Sequence, residues 1–259
     1  MVNIEDLTDI YDFETNIHNN NIYTEYLQYL ILKKIFNNDF GFEIYLAGDF
    51  YNRIKFKIPR FSNSIDLISD IMLMEQRNQI SEYVLKSLKL EGYEVKLQQE
   101  NSQTMFKIKT ENLALYEGQD LERYPSIVIY INYFNTDYFS GNVTIESLNI
   151  NKFDVCTRIN TINPDIAFTL LAKKIIKSKK IFSVELFDLY YFKNLNYIIL
   201  KQFFNKALKG KIPGKLYKIS LNNRKPKLNK DFTNFVIDKP KEKYDDIIND
   251  RSWIKFINY

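Results

Sequence analysis

The polar side chains with the most regular spacing lie between Tyr45 and Ser69. Over Phe61 to Ser69 the chain alternates, with Ser62, Ser64 and Asp66 on one side and Phe61, Ile65 and Leu67 on the other. A strand here turns two hydroxyls and one carboxylate to a single face. Carboxylates two apart on a strand can grip a divalent cation between them, and Asp66 is the carboxylate on this face. Other routes to catalysis are closed by composition. The chain has one Cys, Cys156, and one His, His18, which excludes an internal disulfide and a zinc module built from Cys and His. Nucleophile–histidine chemistry would have to run through His18, in the Asn-rich stretch His18 to Asn21, which reads as a polar turn or helix start. No G-x-G-x-x-G occurs, and Gly210 to Lys215 has three residues between its glycines where a phosphate-binding loop needs four.

Charge is distributed unevenly over the 259 residues. The formal net charge is +4, yet Lys173 to Lys230 holds 16 Lys and Arg against two acids, Glu185 and Asp188, a net of +14, and the remainder carries −10. Between Lys201 and Lys230 there is no acid at all. Such asymmetry points to a polyanionic partner, because clustered cations attract phosphates and release counterions. Lys201, Lys206, Lys209, Lys211, Lys215, Lys218, Arg224 and Lys225 are the candidate nucleic-acid contacts. The abundance of Asn, Ile, Lys, Tyr and Phe together is what an AT-rich genome produces, so 19 tyrosines are by themselves no sign of base stacking.

The elements that must position these residues follow from periodicity. Asn21 to Asn37 carries Tyr26, Leu27, Leu30, Ile31 and Ile35 at helical spacing, which predicts an amphipathic helix. Phe42 to Ala47 is a short apolar strand broken by Gly48, and Asp49 to Phe56 can turn into a helix that Pro59 ends. Ile71 to Leu90 is a helix closed by Gly92. Tyr93 to Gln98, Thr104 to Thr110, Ser126 to Phe134 and Asn142 to Asn149 are strand candidates separated by polar turns. From Pro164 the period is helical again, through Lys177, then Ser183 to Leu195, then Tyr197 to Leu208 before Gly210, Pro213 and Gly214. The expectation is an α/β domain with a mixed sheet flanked by helices over 1–155 and a mostly helical, basic domain over 156–259. An acidic amino terminus without an apolar core, and no apolar run approaching about 18 residues, predict a cytoplasmic protein without a membrane span. Trp253, Ile254, Phe256 and Ile257 read as a tail packed on the helical half.

Taken together, the strand, Gly48, the short helix, Arg60-Phe61-Ser62 and the strand with Ser64 and Asp66 resemble the nucleotidyltransferase signature of the AbiEii/AbiGii toxin family. There a strand ending in Gly-Gly and Ser or Thr precedes Arg-Phe-Ser-x-Asp-x-Asp. The family's opening helix is echoed by Tyr26 to Phe36, its helix before a Gly-Tyr strand by Ile71 to Tyr93, and its central strand by Ile127 to Tyr133. Its Ala-x-Lys helix resembles Leu171-Ala172-Lys173-Lys174, and its Arg-Asp-x-x-Asp helix resembles Val184 to Asp188. The likeness covers roughly residues 22 to 195.

The resemblance implies a fold, a cofactor and a site. Nucleotidyl transfer uses Mg²⁺ held by two carboxylates on one strand and a third from its neighbour. Asp66 stands at one of these positions, while Ser64 and, as the resemblance places it, Tyr130 stand at the other two. Asp49 follows Gly48 where small residues would let backbone N–H groups approach the triphosphate, and its charge would repel phosphates. Arg60, Ser62, Lys174 and Asp188 match family positions thought to contact phosphates or organise the site. The expectation is a catalytically degenerate nucleotidyltransferase fold that binds RNA, tRNA-like, or a partner protein such as a cognate antitoxin through its basic half. Two other readings stand beside it: an active Mg²⁺-dependent nucleotidyltransferase toxin that modifies RNA, with Asp66 as metal ligand helped by Asp49 or Asp70, and a structural or inhibitory protein with only fold-level likeness.

Overall fold

The computed structural model describes residues 19–69, 74–109, 126–135, 145–164 and 183–194, together with Leu7, Ile166, Ala167, Leu170, Leu171, Ile237, Glu242, Asp245 and Ile247. Asp70, Lys174, the basic positions from Lys201 to Lys225, the helix expected over Tyr197 to Leu208 and the Trp253 segment lie outside the described residues. The chain divides into two compact units, Met1–Lys55 with Phe61–Ile162, and Phe56–Arg60 with Asn163–Tyr259.

The first unit is built on a seven-stranded mixed sheet. Its strands are β1 (Tyr45–Ala47), β2 (Ser64–Ser69), β3 (Glu94–Gln99), β4 (Gln103–Lys109), β5 (Ser126–Asn135), β6 (Ile145–Lys152) and β7 (Val155–Ile162). They lie in the order β3-β4-β5-β2-β1-β7-β6. β2 pairs parallel with β5 and β1 parallel with β7, while the other neighbours are antiparallel. The helices are α1 (Asn19–Phe36), α2 (Gly48–Phe56) and α3 (Met74–Leu90). No described helix is long and apolar enough to cross a membrane.

α1 differs from the amphipathic helix its spacing predicts. Ile22, Tyr23 and every residue from Glu25 to Leu32 are buried, so the helix is enclosed on all sides over nearly three turns. It packs on β7 and β5 and against α3. The polar residues this encloses are partnered except at the Gln28 amide oxygen, which is buried without a hydrogen bond among the described residues. Glu25 is 1% exposed and accepts from Arg53 Nε at 3.0 Å and Lys152 Nζ at 3.2 Å, and Gln28 Nε2 donates to the Ser62 carbonyl at 2.9 Å.

The segment Asp39–Glu43 forms a 3₁₀ turn, capped by Asn38, which shortens the strand expected from Phe42 to its last three residues. α3 ends as its glycine requires. Gly92 has φ +91°, its N–H donates to Lys89 O, and the Tyr93 N–H donates to Leu88 O, a Schellman closure. β7 is a strand where the periodicity suggested only a change of domain. It joins β6 through a two-residue turn in which Phe153 and Asp154 have φ 55° and 58°, the backbone of a type I′ hairpin. Phe153 is bulky for such a conformation, but its ring packs edge-on against Tyr26 and Tyr29, with Lys152 Nζ 4.9 Å from its centre. Burial lowers the Lys152 pKa, and Glu25 opposes that shift.

The described residues of the second unit beyond Asn163 are helical except Ile237, and the longest run is α4 (Ser183–Asn194). Phe187 is fully buried there and stacks on Tyr191 at 4.8 Å.

Candidate functional site

β2 lies fourth in the sheet, and its two neighbours decide what Asp66 meets. On β1 its partner is Ala47, and on β5 the pairs are Ser64 with Tyr130 and Asp66 with Asn132. β4 extends the same rows, placing Met105 beside Tyr130 and Gln103 beside Asn132. Residues opposite one another point to the same side. Ser64, Asp66, Gln103, Met105, Tyr130 and Asn132 therefore share one face, all partly exposed. Ile65, Leu67, Thr104, Phe106, Ile129, Ile131 and Tyr133 line the other and are buried. α3 covers that side, where Ser81 Oγ bonds both Thr104 Oγ1 at 2.9 Å and Tyr133 Oη at 3.0 Å.

Asp66 sits within a hydrogen-bonded chain. Its Oδ1 accepts from Ser64 Oγ at 3.2 Å and from Asn132 Nδ2 at 2.7 Å. A carboxylate only accepts, so the Asn132 amide must turn its NH₂ towards Asp66 and its oxygen away. That oxygen accepts from Gln103 Nε2 at 2.7 Å. On the other side the carboxylate lies against Gly48, the first residue of α2, where an added Cβ would stand 2.0 Å from Oδ2. Gly48 also has φ +68°, so this position requires glycine both for its backbone and for the room it leaves Asp66. The helix N-terminus favours the negative charge beside it, and Asp49 adds a second carboxylate to the same first turn.

This face carries fewer anionic oxygens than the three carboxylates of the signature. Asp66 is the one carboxylate among its six side chains, and Asp49 stands in the adjoining helix turn, whereas Mg²⁺ in such sites is bound through one or two carboxylates together with substrate phosphates. Ser64 and Asn132 direct hydrogens to Asp66 rather than lone pairs to a shared cation. No group of three His, Cys, Asp or Glu side chains that could hold a metal is found among the described residues.

The remaining sequence candidates have contacts of their own. Ser62 is buried, and its Oγ donates to the Ser64 carbonyl at 2.9 Å and accepts from the Ser64 N–H at 3.3 Å, fixing the entry to β2. In the second unit Arg60 and Asp188 are 1% and 0% exposed and form a two-pronged ion pair, Nε to Oδ1 and Nη2 to Oδ2, both at 2.5 Å. Such fork-to-fork geometry is the strongest form of this contact.

No protein-family model matches the sequence, and no curated protein does. Solved structures do. MenT4, a nucleotidyltransferase toxin from Mycobacterium tuberculosis H37Rv, superposes with a TM-score of 0.56 at 11% identity, over 86% of this chain and 73% of that one. A structure described as a putative nucleotidyltransferase from H. pylori superposes with a TM-score of 0.50 at 13% identity, over 93% and 96%. The chain has a nucleotidyltransferase fold. Within that fold, Ser64, Asp66 and Tyr130 stand together on the open face of the central strands, as the alternation of Phe61 to Leu67 and Ile127 to Tyr133 predicts. Sequence reasoning missed Asn132 and Gln103. Asn132 was reachable as the residue two beyond Tyr130 on the same face, whereas Gln103 enters through the β4–β5 register, which no local pattern reveals.

Proposed function

We propose that this nucleotidyltransferase-fold protein is a toxin-type relative of the AbiEii proteins that has lost nucleotidyl transfer and acts by binding RNA in the cytoplasm through its basic segment. The observation that carries the reading is the Asp66–Asn132 contact. A donating amide stands directly opposite the remaining carboxylate, with Ser64 and Tyr130 at the positions the signature gives to acids. Phosphoryl transfer depends on positioned metal charge, and this arrangement removes its anchor. The +14 block from Lys173 to Lys230 supplies the second half of the argument, because cations gathered in one segment attract phosphates and release counterions. The toxin described among the structural neighbours supports a place in a toxin–antitoxin pair, with a cognate antitoxin as the protein partner.

Filter binding to total tRNA at several salt concentrations tests the reading. Log affinity should fall with log salt by about 0.7 to 0.9 for each phosphate neutralised, and replacing Lys211, Lys215 and Lys218 by Gln should flatten the slope. Affinity indifferent to salt, or absent at low salt, would refute RNA as the partner.

A further inference from the structure

The sheet face that carries Asp66 extends beyond it, and its chemistry changes from row to row. The first row is Gln103, Asn132 and Asp66, the next is Met105, Tyr130 and Ser64, and the third holds Lys107 beside Val128. β3 adds Gln98 next to Met105 and Lys96 next to Lys107. Successive rows on such a face lie about 7 Å apart.

Lys96 and Lys107 are directly opposite one another and both exposed. Like charges in that relation repel, and neither lysine has an ion pair among the described residues. The same two strands neutralise their next pair, since Lys109 Nζ meets Glu94 Oε1 at 2.5 Å. The unneutralised pair is therefore a feature of this one row. Beside it lies Tyr130, whose partly exposed ring is neighboured by the Met105 thioether. The tyrosine row separates the two lysines from the Asp66 carboxylate. An anion drawn to this face is steered to the lysine end, and a flat apolar group bonded to it falls on Tyr130.

We propose that this face is a platform for single-stranded RNA, with one base stacked on Tyr130 and Met105 and its phosphate held between Lys96 and Lys107. The proposal rests on the RNA-binding reading and adds a site built from residues of the first unit. Single strands are the form that fits, because a duplex keeps its bases stacked internally and offers no free face to the ring. Gln103 retains an amide oxygen beyond its bond to Asn132, which can accept from a base edge. The same reading gives the tyrosine a role at a position where the signature has an acid.

Fluorescence anisotropy with labelled oligouridylate, oligoadenylate and an RNA duplex of equal length tests it on the full chain. Tyr130→Leu should weaken single-strand binding about 5- to 150-fold, and Tyr130→Phe, which keeps the ring, should bind as wild type. Lys96→Gln with Lys107→Gln should flatten the single-strand salt slope by about 0.7, the value for one phosphate. Duplex affinity should respond to neither change and should fall when Lys211, Lys215 and Lys218 become Gln. If wild type binds single strands and the lysine pair leaves the slope unchanged, or a folded Tyr130→Leu keeps its affinity, the platform is refuted while RNA binding through the basic segment stands. If wild type binds no RNA, both readings fall. Lys96 and Lys107 are exposed, so their variant reads the site even if Tyr130→Leu does not fold.

Discussion

For single side chains, the fit of Asp66 between Gly48 and Asn132 has consequences that stability measurements can read. A methyl at Gly48 meets the carboxylate at 2.0 Å and also forces a side chain into φ +68°. Gly48→Ala should therefore cost about 1–2 kcal/mol for the backbone and more for the clash. In the double variant with Asp66→Ala the second part should disappear, so the two losses will not add; additive losses in urea melts would contradict the contact. The amide chain makes a further prediction. Ser64→Asp with Asn132→Asp puts three carboxylates on one face, which repel without a cation and bind one together. The double variant should melt lower than wild type in chelator and regain stability with Mn²⁺, whereas wild type should show no Mn²⁺-dependent shift. Asp66 and Ser64 were legible in the sequence because period-two alternation places both on one face. Their partners were less so, since the identity of the residue opposite depends on a parallel register set by contacts distant in the chain.

Among the elements, two devices hold segments that local preference leaves undecided. The Arg60–Asp188 pair ties the short stretch 56–60 to α4 inside the second unit. Removing either partner leaves a buried charge uncompensated, so Arg60→Ala and Asp188→Ala should each lower stability by about 3 to 5 kcal/mol. Arg60→Lys should rescue little, because an ammonium cannot reproduce the two-pronged contact; wild-type stability in Asp188→Ala would refute a structural role for the pair. The β6–β7 hairpin is the second device, and it explains why a whole strand escaped notice. Hairpins of this kind usually announce themselves with Asn-Gly or Asp-Gly, whereas here Phe153 and Asp154 take the left-handed conformation without any glycine. The ring of Phe153 holds the turn through Tyr26 and Tyr29, contacts that appear only once α1 is packed on the sheet. Where glycine does mark the geometry, at Gly92 after α3 and Gly48 at the start of α2, the sequence boundaries agree with the structure to within a residue or two.

For the molecule as a whole, burial of tyrosines sets the alkaline limit of stability. Desolvation raises the pKa of Tyr23, Tyr26, Tyr29, Tyr93 and Tyr133 above the ordinary value of 10.0. The folded state keeps protons that the unfolded chain releases, so this contribution is intact below pH 10.0 and is lost as pH rises through the folded values. Lys152 has the opposite sign, since its lowered pKa makes the fold gain stability as pH approaches 10.5, but one lysine is outweighed by five phenols. Stability should therefore fall steeply above about pH 10, with tyrosinate absorbance rising together with unfolding; ionisation of these rings in a fully folded protein would contradict their burial. Catalysis is decided at this scale too, because it needs a cation, a nucleotide and an acceptor assembled on one fold. Label transfer from α-labelled nucleoside triphosphates to total tRNA, with Mg²⁺ or Mn²⁺ and with Asp66→Ala as the control, is the most direct test. Wild type and Asp66→Ala should both leave the RNA unlabelled, whereas robust metal-dependent labelling by wild type that Asp66→Ala abolishes would show a working active site where this account places an inactive one.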